Sequence, residues 1–265
     1  MSPLRESTLS VIGAGVMAEA IIAGLSEKHG IQVTADNVDA ARRGDVVVLG
    51  IKPQVMPGVL SELRGSLAPG KLVISIIAGA TTQTLRRGLD HGALVRVMPN
   101  TPAQIGQGVN IWYATSETTE AHREQARALL GALGHELQVG DERFVAMATA
   151  VSGTGPTYVF LVMEALIDSA VHLGFPRHLA HDLVLETIKG SVAFAERTQK
   201  HPAQLRDMVT SPGGTSAAAF YELERGRLRT VLADAVWAAY RRTMSLSDSL
   251  SAGKDPEPMP PRPNA

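Results

Sequence analysis

Two domains, an α/β sheet domain followed by an all-helical one, are predicted by three features of the sequence. Short apolar runs alternate with helical or polar stretches through the first half, the strand signal stops after Gly140, and long helical patterns fill the second half. The runs, in order, are "LSVIGAG", "GIQVTADN", "DVVVLGIKP", "KLVISIIAGA", "ALVRVMPN", "GVNIWYA" and "HELQVG". They are β-branched, short and flanked by Gly, Pro or Asn, which reads as buried parallel strands. Between them Val55–Leu67 and Thr82–Leu89 read as crossover helices, giving a doubly wound sheet over residues 1–140. Helices are then predicted over Thr157–Leu173, Leu179–Arg197, Ala217–Arg225 and Leu228–Leu250, within a second domain at 141–250. "TYVFLVMEALIDSAVHL" is apolar almost all the way round, so it must be covered on most sides. A domain of this size cannot do that alone, and an intertwined homodimer is expected. The proline-rich end, "SAGKDPEPMPPRPNA" (251–265), reads as a disordered tail.

Composition narrows the function. With 45% hydrophobic residues the chain can bury a sizeable core, and 25 Lys+Arg against 26 Asp+Glu leave no electrostatic footprint for nucleic acid or an anionic membrane. A small neutral or zwitterionic partner fits better. The absence of cysteine excludes disulfides, thiolate catalysis and thiolate metal sites. "MSPLREST" lacks the apolar core of a signal peptide, and "VVVLGI" and "LVISIIAGA" fall far short of the ~20 residues that cross a bilayer. A cytoplasmic protein with no membrane partner is expected.

The first chemical signal is "LSVIGAGVMAEAIIAGL", a strand, a glycine turn and a helix. In the dinucleotide fingerprint the first glycine (Gly13) makes the turn and the second (Gly15) lets backbone approach the pyrophosphate. The third position needs only a small residue, which Ala18 supplies. The alternative is a packing turn of any α/β protein; its placement between a first strand and a helix favours the cofactor. About 20 residues further on, the ribose-bonding acid of such sites would be Asp36, which taken alone favours NAD.

A second glycine turn opens a helix at "TSPGGTSAAAFYELERG" (Thr210–Gly226). Two glycines at a helix start destabilise it by roughly 1 kcal/mol each against alanine, so they need a reason. Gly213, Gly214, Thr215 and Ser216 could give several amides and two hydroxyls to one carboxylate, with Pro212 fixing the entry. Ordinary capping by Ser211 or Thr215 explains the stretch equally well, and the dinucleotide turn tips the balance toward binding. In "VSGTGPTY", Gly153 and Gly155 allow either close helix packing or close approach to a nicotinamide ring. Glu164, Asp168 and His172 have metal-compatible helical spacing but read better as a polar stripe, so no metal is expected. Lys52 after its strand shapes a loop more readily than it serves as a base.

"VIGAGVMAEAIIAGL", "VVVLGIKPQ", "VRVMPNTPA", "VSGTGPTYVF", "EAL…LGFPR" and "SPGGTSAA" together resemble, in order and spacing from about Leu9 to Leu246, the Δ1-pyrroline-5-carboxylate reductases. The resemblance implies a Rossmann-type domain and a helical dimerisation domain, with NADPH or NADH reducing pyrroline-5-carboxylate to proline. It also implies an active site where one subunit's nucleotide domain meets the helical domains of a dimer, and rings built from dimers. By this resemblance Ile12, Gly13, Ala14, Gly15, Val16 and Met17 hold the pyrophosphate. Asn37, Gly50, Ile51, Lys52, Pro53, Ile76, Ile77 and Ala78 line the cofactor. Glu142, Thr215 and Ser216 match positions that contact proline or its precursor; read with the glycine turn, Ser211, Gly213 and Gly214 help bind the carboxylate, and Glu142 either approaches the ring nitrogen, pairs with the substrate's positive end or is a surface residue of the domain linker.

The chain also departs from the family. One βα unit, about 30 residues, is lacking after Leu25, which makes "IQVTADN" the following strand and removes Asp36 from the ribose. The NADP-against-NAD preference is thereby left open. Met208 stands where an asparagine is usual, and Ser216 where threonine is common. Two further readings are another NAD(P)-dependent imine or hydroxyacid reductase, and a dinucleotide-binding relative that no longer catalyses.

Overall fold

A computed structural model describes residues 4, 7–13, 15–25 and 32–254. Ala14, part of "GIQVTADN" and residues 255–265 of the expected disordered tail lie outside the described residues. The chain divides into two compact units, residues 1–156 with 237–265, and residues 157–236.

The first unit is built on a six-stranded sheet in the order β1 (Leu9–Ile12), β2 (Val46–Leu49), β3 (Leu72–Ser75), β4 (Leu94–Met98), β5 (Gly108–Ala114), β6 (Gly134–Gln138). The strands β1 to β4 run parallel, with Ile12 beside Leu49 and Leu49 beside Ser75. The expectation of parallel strands fails at β5, which pairs antiparallel with β4. The link between them holds a single 3₁₀ turn, Thr101–Ile105. A parallel return needs a crossover of a dozen or more residues.

Helices cover both faces. On one, α2 (Asn37–Arg43), α3 (Met56–Leu63) and α4 (Thr82–Leu89) bury Ala41, Leu60 and Leu85 against Val47, Leu49 and Val73. On the other, α1 (Val16–Leu25) and α5 (Glu120–Gly131) bury Ile21 and Leu129 against Val46, Val48 and Ile74. Alternate residues of one strand thus enter opposite cores, which is why "VVVL" shows no polar alternation.

The strand expected at "GIQVTADN" is not formed over residues 32–35, and Val33 is 93% exposed. Among the described residues β1 is an edge strand paired with β2 alone, and residues 32–35 do not join it. Asp36 instead caps α2, its carboxylate accepting from the amides of Val38 and Asp39.

The helices α6 (Arg143–Ala148), a π turn at Thr149–Gly153 and α7 (Gly155–His172) form one continuous helical stretch. By length and composition Arg143–His172 could cross a bilayer, a property that the uninterrupted apolar runs do not reveal. Val145, Ala148 and Ala150 are buried with the sheet, so the first unit extends past Gly140. The chain continues through α8 (Arg177–Thr198), α9 (Pro202–Met208), α10 (Thr215–Arg225) and α11 (Leu228–Ser251). Leu250, near the end of α11, returns to the first unit's core. Within the second unit α7 buries no residue, and Phe160 and Leu161 are 59% and 64% exposed.

Candidate active site

In the first unit the turn after β1 is fixed by backbone. The Gly50 amide donates to the Ile12 carbonyl at 2.8 Å, drawing the end of β2 against the turn. Gly13 has φ +105°, and a Cβ there would lie 2.7 Å from the Gly50 carbonyl oxygen. Both facts demand glycine. Ala18 is fully buried, and a Cβ on Gly50 would approach its methyl to 3.3 Å, so a small residue there serves helix–strand packing.

Gly15 differs. The nearest atom to a Cβ placed on it is the Gly50 carbonyl oxygen at 3.9 Å, so the protein's own packing does not require glycine. Its bare backbone adjoins the first turn of α1, where amides have no intrahelical acceptor and carry partial positive charge. The free amides and the space a Cβ would begin to fill have the chemistry that an anionic phosphate needs. At the carboxyl ends of β2 and β3, Gly50, Ile51 and Pro53 are half-buried and Lys52 is exposed. Ile76 and Ala78 are half-buried, while Ile77 is buried. Asn37 donates from Nδ2 to the Glu62 carboxylate at 3.0 Å.

The segment after β3 is pinned at both ends. The amide of Ile76 donates to the Leu49 carbonyl at 3.2 Å, and that of Ile77 to the Ser75 hydroxyl at 3.3 Å. At the far end Thr81 caps α4 by accepting from the Thr84 amide, and Glu142 takes the Thr82 amide at 2.8 Å. Glu142 also accepts from the Thr82 hydroxyl at 2.7 Å and from Arg96 Nη1 at 2.8 Å. Both carboxylate oxygens of Glu142, the residue expected to approach a substrate nitrogen, thus hold donors within the first unit. The Arg96 side chain is only 5% exposed, and removing one partner from such a pair costs about 3 kcal/mol or more.

Arg96 and Thr82 are absent from the residues that motif and spacing pick out. The signal for Arg96 is a single charge inside the apolar run "ALVRVMPN", since an arginine in a buried strand requires a buried partner. Asn100 belongs with them. Its Nδ2 donates to the Ser152 carbonyl at 3.1 Å and its Oδ1 accepts from the Val109 amide at 2.8 Å, holding the π turn to β5. A Cβ on Gly153 would meet the Met98 methyl, the free end of a flexible side chain, at 2.8 Å; one on Gly155 would meet nothing within 4 Å.

In the second unit the Gly214 amide donates to the Ser211 carbonyl at 3.0 Å, and Gly213 has φ +71°. With Pro212 before it this is a type II turn, in which Pro and Gly take the two central places. Gly214 is the N-cap of α10 and no side chain caps the helix, so capping by Ser211 or Thr215 is not what the turn provides. The Gly214 amide is held within the turn and is not one of the free donors the sequence suggests. The amides of Thr215, Ser216 and Ala217 belong to the first helical turn and lack intrahelical acceptors. Both Thr215 and Ser216 are exposed, and Ser211 Oγ would lie 2.5 Å from a Cβ on Gly214. The turn therefore offers three amides and two hydroxyls to one small anion. Met208 is 54% exposed, with Lys200 Nζ 3.5 Å from its sulfur. Asp168, of the polar stripe, pairs with Arg177 at 2.9 Å.

Residues 142–246 match the family model described as pyrroline-5-carboxylate reductase dimerisation, and residues 23–79 match that of NADP oxidoreductase, coenzyme F420-dependent. A pyrroline-5-carboxylate reductase from a Synechocystis species is 40% identical, the alignment taking in 90% of this chain and 97% of the relative. The chain belongs to the pyrroline-5-carboxylate reductase family.

Pyrroline-5-carboxylate reductases also supply close structural likenesses. The Plasmodium falciparum enzyme, solved with NADP bound, is 30% identical with a TM-score of 0.85, over 91% of this chain and 98% of its own. The Coxiella burnetii enzyme is 34% identical with a TM-score of 0.82, over 91% and 98%. The Synechocystis alignment spans 262 residues yet uses 90% of the 265 here, so the relative carries residues that this chain lacks. That agrees with a sheet whose β1 adjoins β2 and no other described strand.

Proposed function

We propose that this chain reduces Δ1-pyrroline-5-carboxylate to L-proline, the last step of proline biosynthesis, with NADPH or NADH as reductant. The observation that carries the reading is the 40% identity to a pyrroline-5-carboxylate reductase across 97% of that protein. When bound, the reduced dinucleotide supplies the hydride. Ile12–Met17 with the first turn of α1 hold its pyrophosphate, and Asn37, Gly50–Pro53 and Ile76–Ala78 line it. The substrate is a cyclic imine acid, and the amides and hydroxyls of Thr215 and Ser216 anchor its carboxylate, with Ser211, Gly213 and Gly214 shaping the turn. Two hydroxyls beside the ring also hold a proton within reach of the imine nitrogen. Positioning and polarisation of this kind supply much of the rate of such reactions, without a triad or metal cluster.

We further propose that residues 141–250 serve dimerisation and substrate binding, and that the exposed apolar side chains of α7 are covered by a second copy of the chain. The dimerisation model matched over 142–246 supports a protein partner over a lipid one, as do Glu164, Asp168 and His172 on the same helix. Rings of dimers and a cytoplasmic location complete the reading.

The test is oxidation of NADPH and of NADH on adding pyrroline-5-carboxylate, with proline identified as product. Turnover with either reductant is expected. A folded protein that turns over neither, and binds neither by calorimetry, would instead be a relative that has lost catalysis.

A further inference from the structure

We infer that Glu142 is a positioning residue for the dinucleotide, acting through the segment Ile76–Thr82 and making no contact with substrate. This rests on the functional reading above and deepens it. The segment leaves the carboxyl end of β3, where open α/β sheets bind ligands. Its first residues are tied to β2 and to Ser75, and Ala80 closes a turn on the Ile77 carbonyl at 3.2 Å. Between these anchors Gly79 has φ +80°, and a Cβ there would lie 3.1 Å from that of Leu246. At Thr82, its far end, the segment takes a further hold from outside it.

That hold is Glu142. Its two oxygens take the Thr82 amide and the Thr82 hydroxyl from a residue 60 positions earlier in the chain. A carboxylate at the start of α4 is favoured by the helix dipole and satisfies a donor that no helical carbonyl can reach. Arg96 fixes the carboxylate from the other side. It lies on β4 beside Ser75, the residue whose hydroxyl receives the Ile77 amide. One ion pair thus ties β4 to the far end of the segment between β3 and α4. Glu142 stands immediately before α6 and makes no capping bond to that helix, its side chain being directed to Thr82 and Arg96. Its backbone starts the stretch leading to α7, and its side chain sets the segment proposed to line the cofactor.

The test compares wild type, Glu142→Gln and Thr82→Val by calorimetry with NADPH, alongside KM for pyrroline-5-carboxylate. Glutamine keeps the length but cannot balance Arg96 while accepting both Thr82 donors; valine keeps the shape and deletes one donor. For Glu142→Gln the dinucleotide Kd should rise about tenfold, and for Thr82→Val about threefold, less than a full hydrogen bond to a charged group because the effect reaches the cofactor only through the segment. The KM for the imine acid should stay within about twofold in both. A lower Tm with unchanged dinucleotide Kd in either variant overturns the inference and leaves a purely structural pair. An equal rise in the imine-acid KM also overturns it, returning Glu142 to the substrate. If Glu142→Gln does not fold, Thr82→Val decides alone. Wild type binding neither dinucleotide would refute the functional reading itself.

Discussion

The two glycine turns, one in each unit, look alike in sequence and differ in what imposes their glycines. After β1, Gly13 is required by φ +105° and by the Gly50 carbonyl 2.7 Å from where its Cβ would be. Before α10, Gly213 is required by φ +71° alone, since nothing lies within 4 Å of its Cβ position. Gly15 is required by neither. Glycine dictated by packing reports on the fold, whereas at Gly15 neither φ nor packing asks for one, which leaves room for a ligand there. Substitutions at these places should therefore separate cleanly into losses of stability and losses of affinity.

The largest effect is expected at Gly13→Ala. A methyl would press into backbone that cannot withdraw without breaking the β1–β2 register, and the residue would also carry an unfavourable φ. A loss of about 3 kcal/mol or more should appear as a lowered denaturant midpoint of the first unit, with poor recovery of folded protein. Near-normal stability would mean that the turn relaxes more easily than its contacts imply.

Next comes the double change Thr215→Ala with Ser216→Ala. Both side chains are exposed and neither caps α10, so Tm should barely move. Loss of two hydroxyl contacts should lower kcat/KM for the imine acid by about 100-fold, roughly 2.7 kcal/mol, while the dinucleotide Kd is retained. Equal damage to both ligands would break the assignment of this turn to the substrate carboxylate. Gly15→Ala should do the converse at smaller scale. With 3.9 Å of clearance the fold accepts the methyl, and the dinucleotide Kd should rise about tenfold with the imine-acid KM unaffected.

These contrasts also mark what the sequence can reveal. Thr82–Leu89 is readable to the residue, because Thr81 and Asp90 bound a short pattern with clear polar and apolar sides. The α7 and α11 helices are readable from long apolar periodicity. The direction of β5 is not, since strand direction depends on the length and path of a link whose 3₁₀ turn has no periodic signature. "GIQVTADN" carries good strand residues, yet a strand needs an adjoining partner, and that information lies in a segment the chain lacks. The glycine turns are legible as sites because their spacing encodes backbone geometry. The role of Glu142 is not legible, because Thr82, Arg96 and Glu142 are far apart in sequence and meet only once the sheet has formed.

The smallest expected effect sharpens the comparison by keeping within the first unit, away from both turns. His91 is 7% exposed, and its Nε2–H donates to the Lys71 carbonyl at 2.8 Å. Burial is the largest influence and holds its pKa below the ordinary 6.5, while the bond to Lys71 opposes this and the nearby His122 adds to it. The unfolded chain therefore binds a proton near pH 6.5 that the folded chain refuses, so stability falls as the pH drops below 6.5 toward the folded pKa. About a unit or more above 6.5 the imidazole is neutral in both states and contributes no slope. Glutamine at this position can still donate to Lys71 but does not titrate. The difference in unfolding free energy between wild type and His91→Gln should thus be flat above about pH 7.5 and move increasingly in favour of the variant as the pH falls through 6.5. Dinucleotide affinity measured at neutral pH should not change, since His91 lies beyond α4 and touches neither turn. A difference that stays flat from pH 8 to pH 5 would mean that the buried imidazole takes up its proton without penalty.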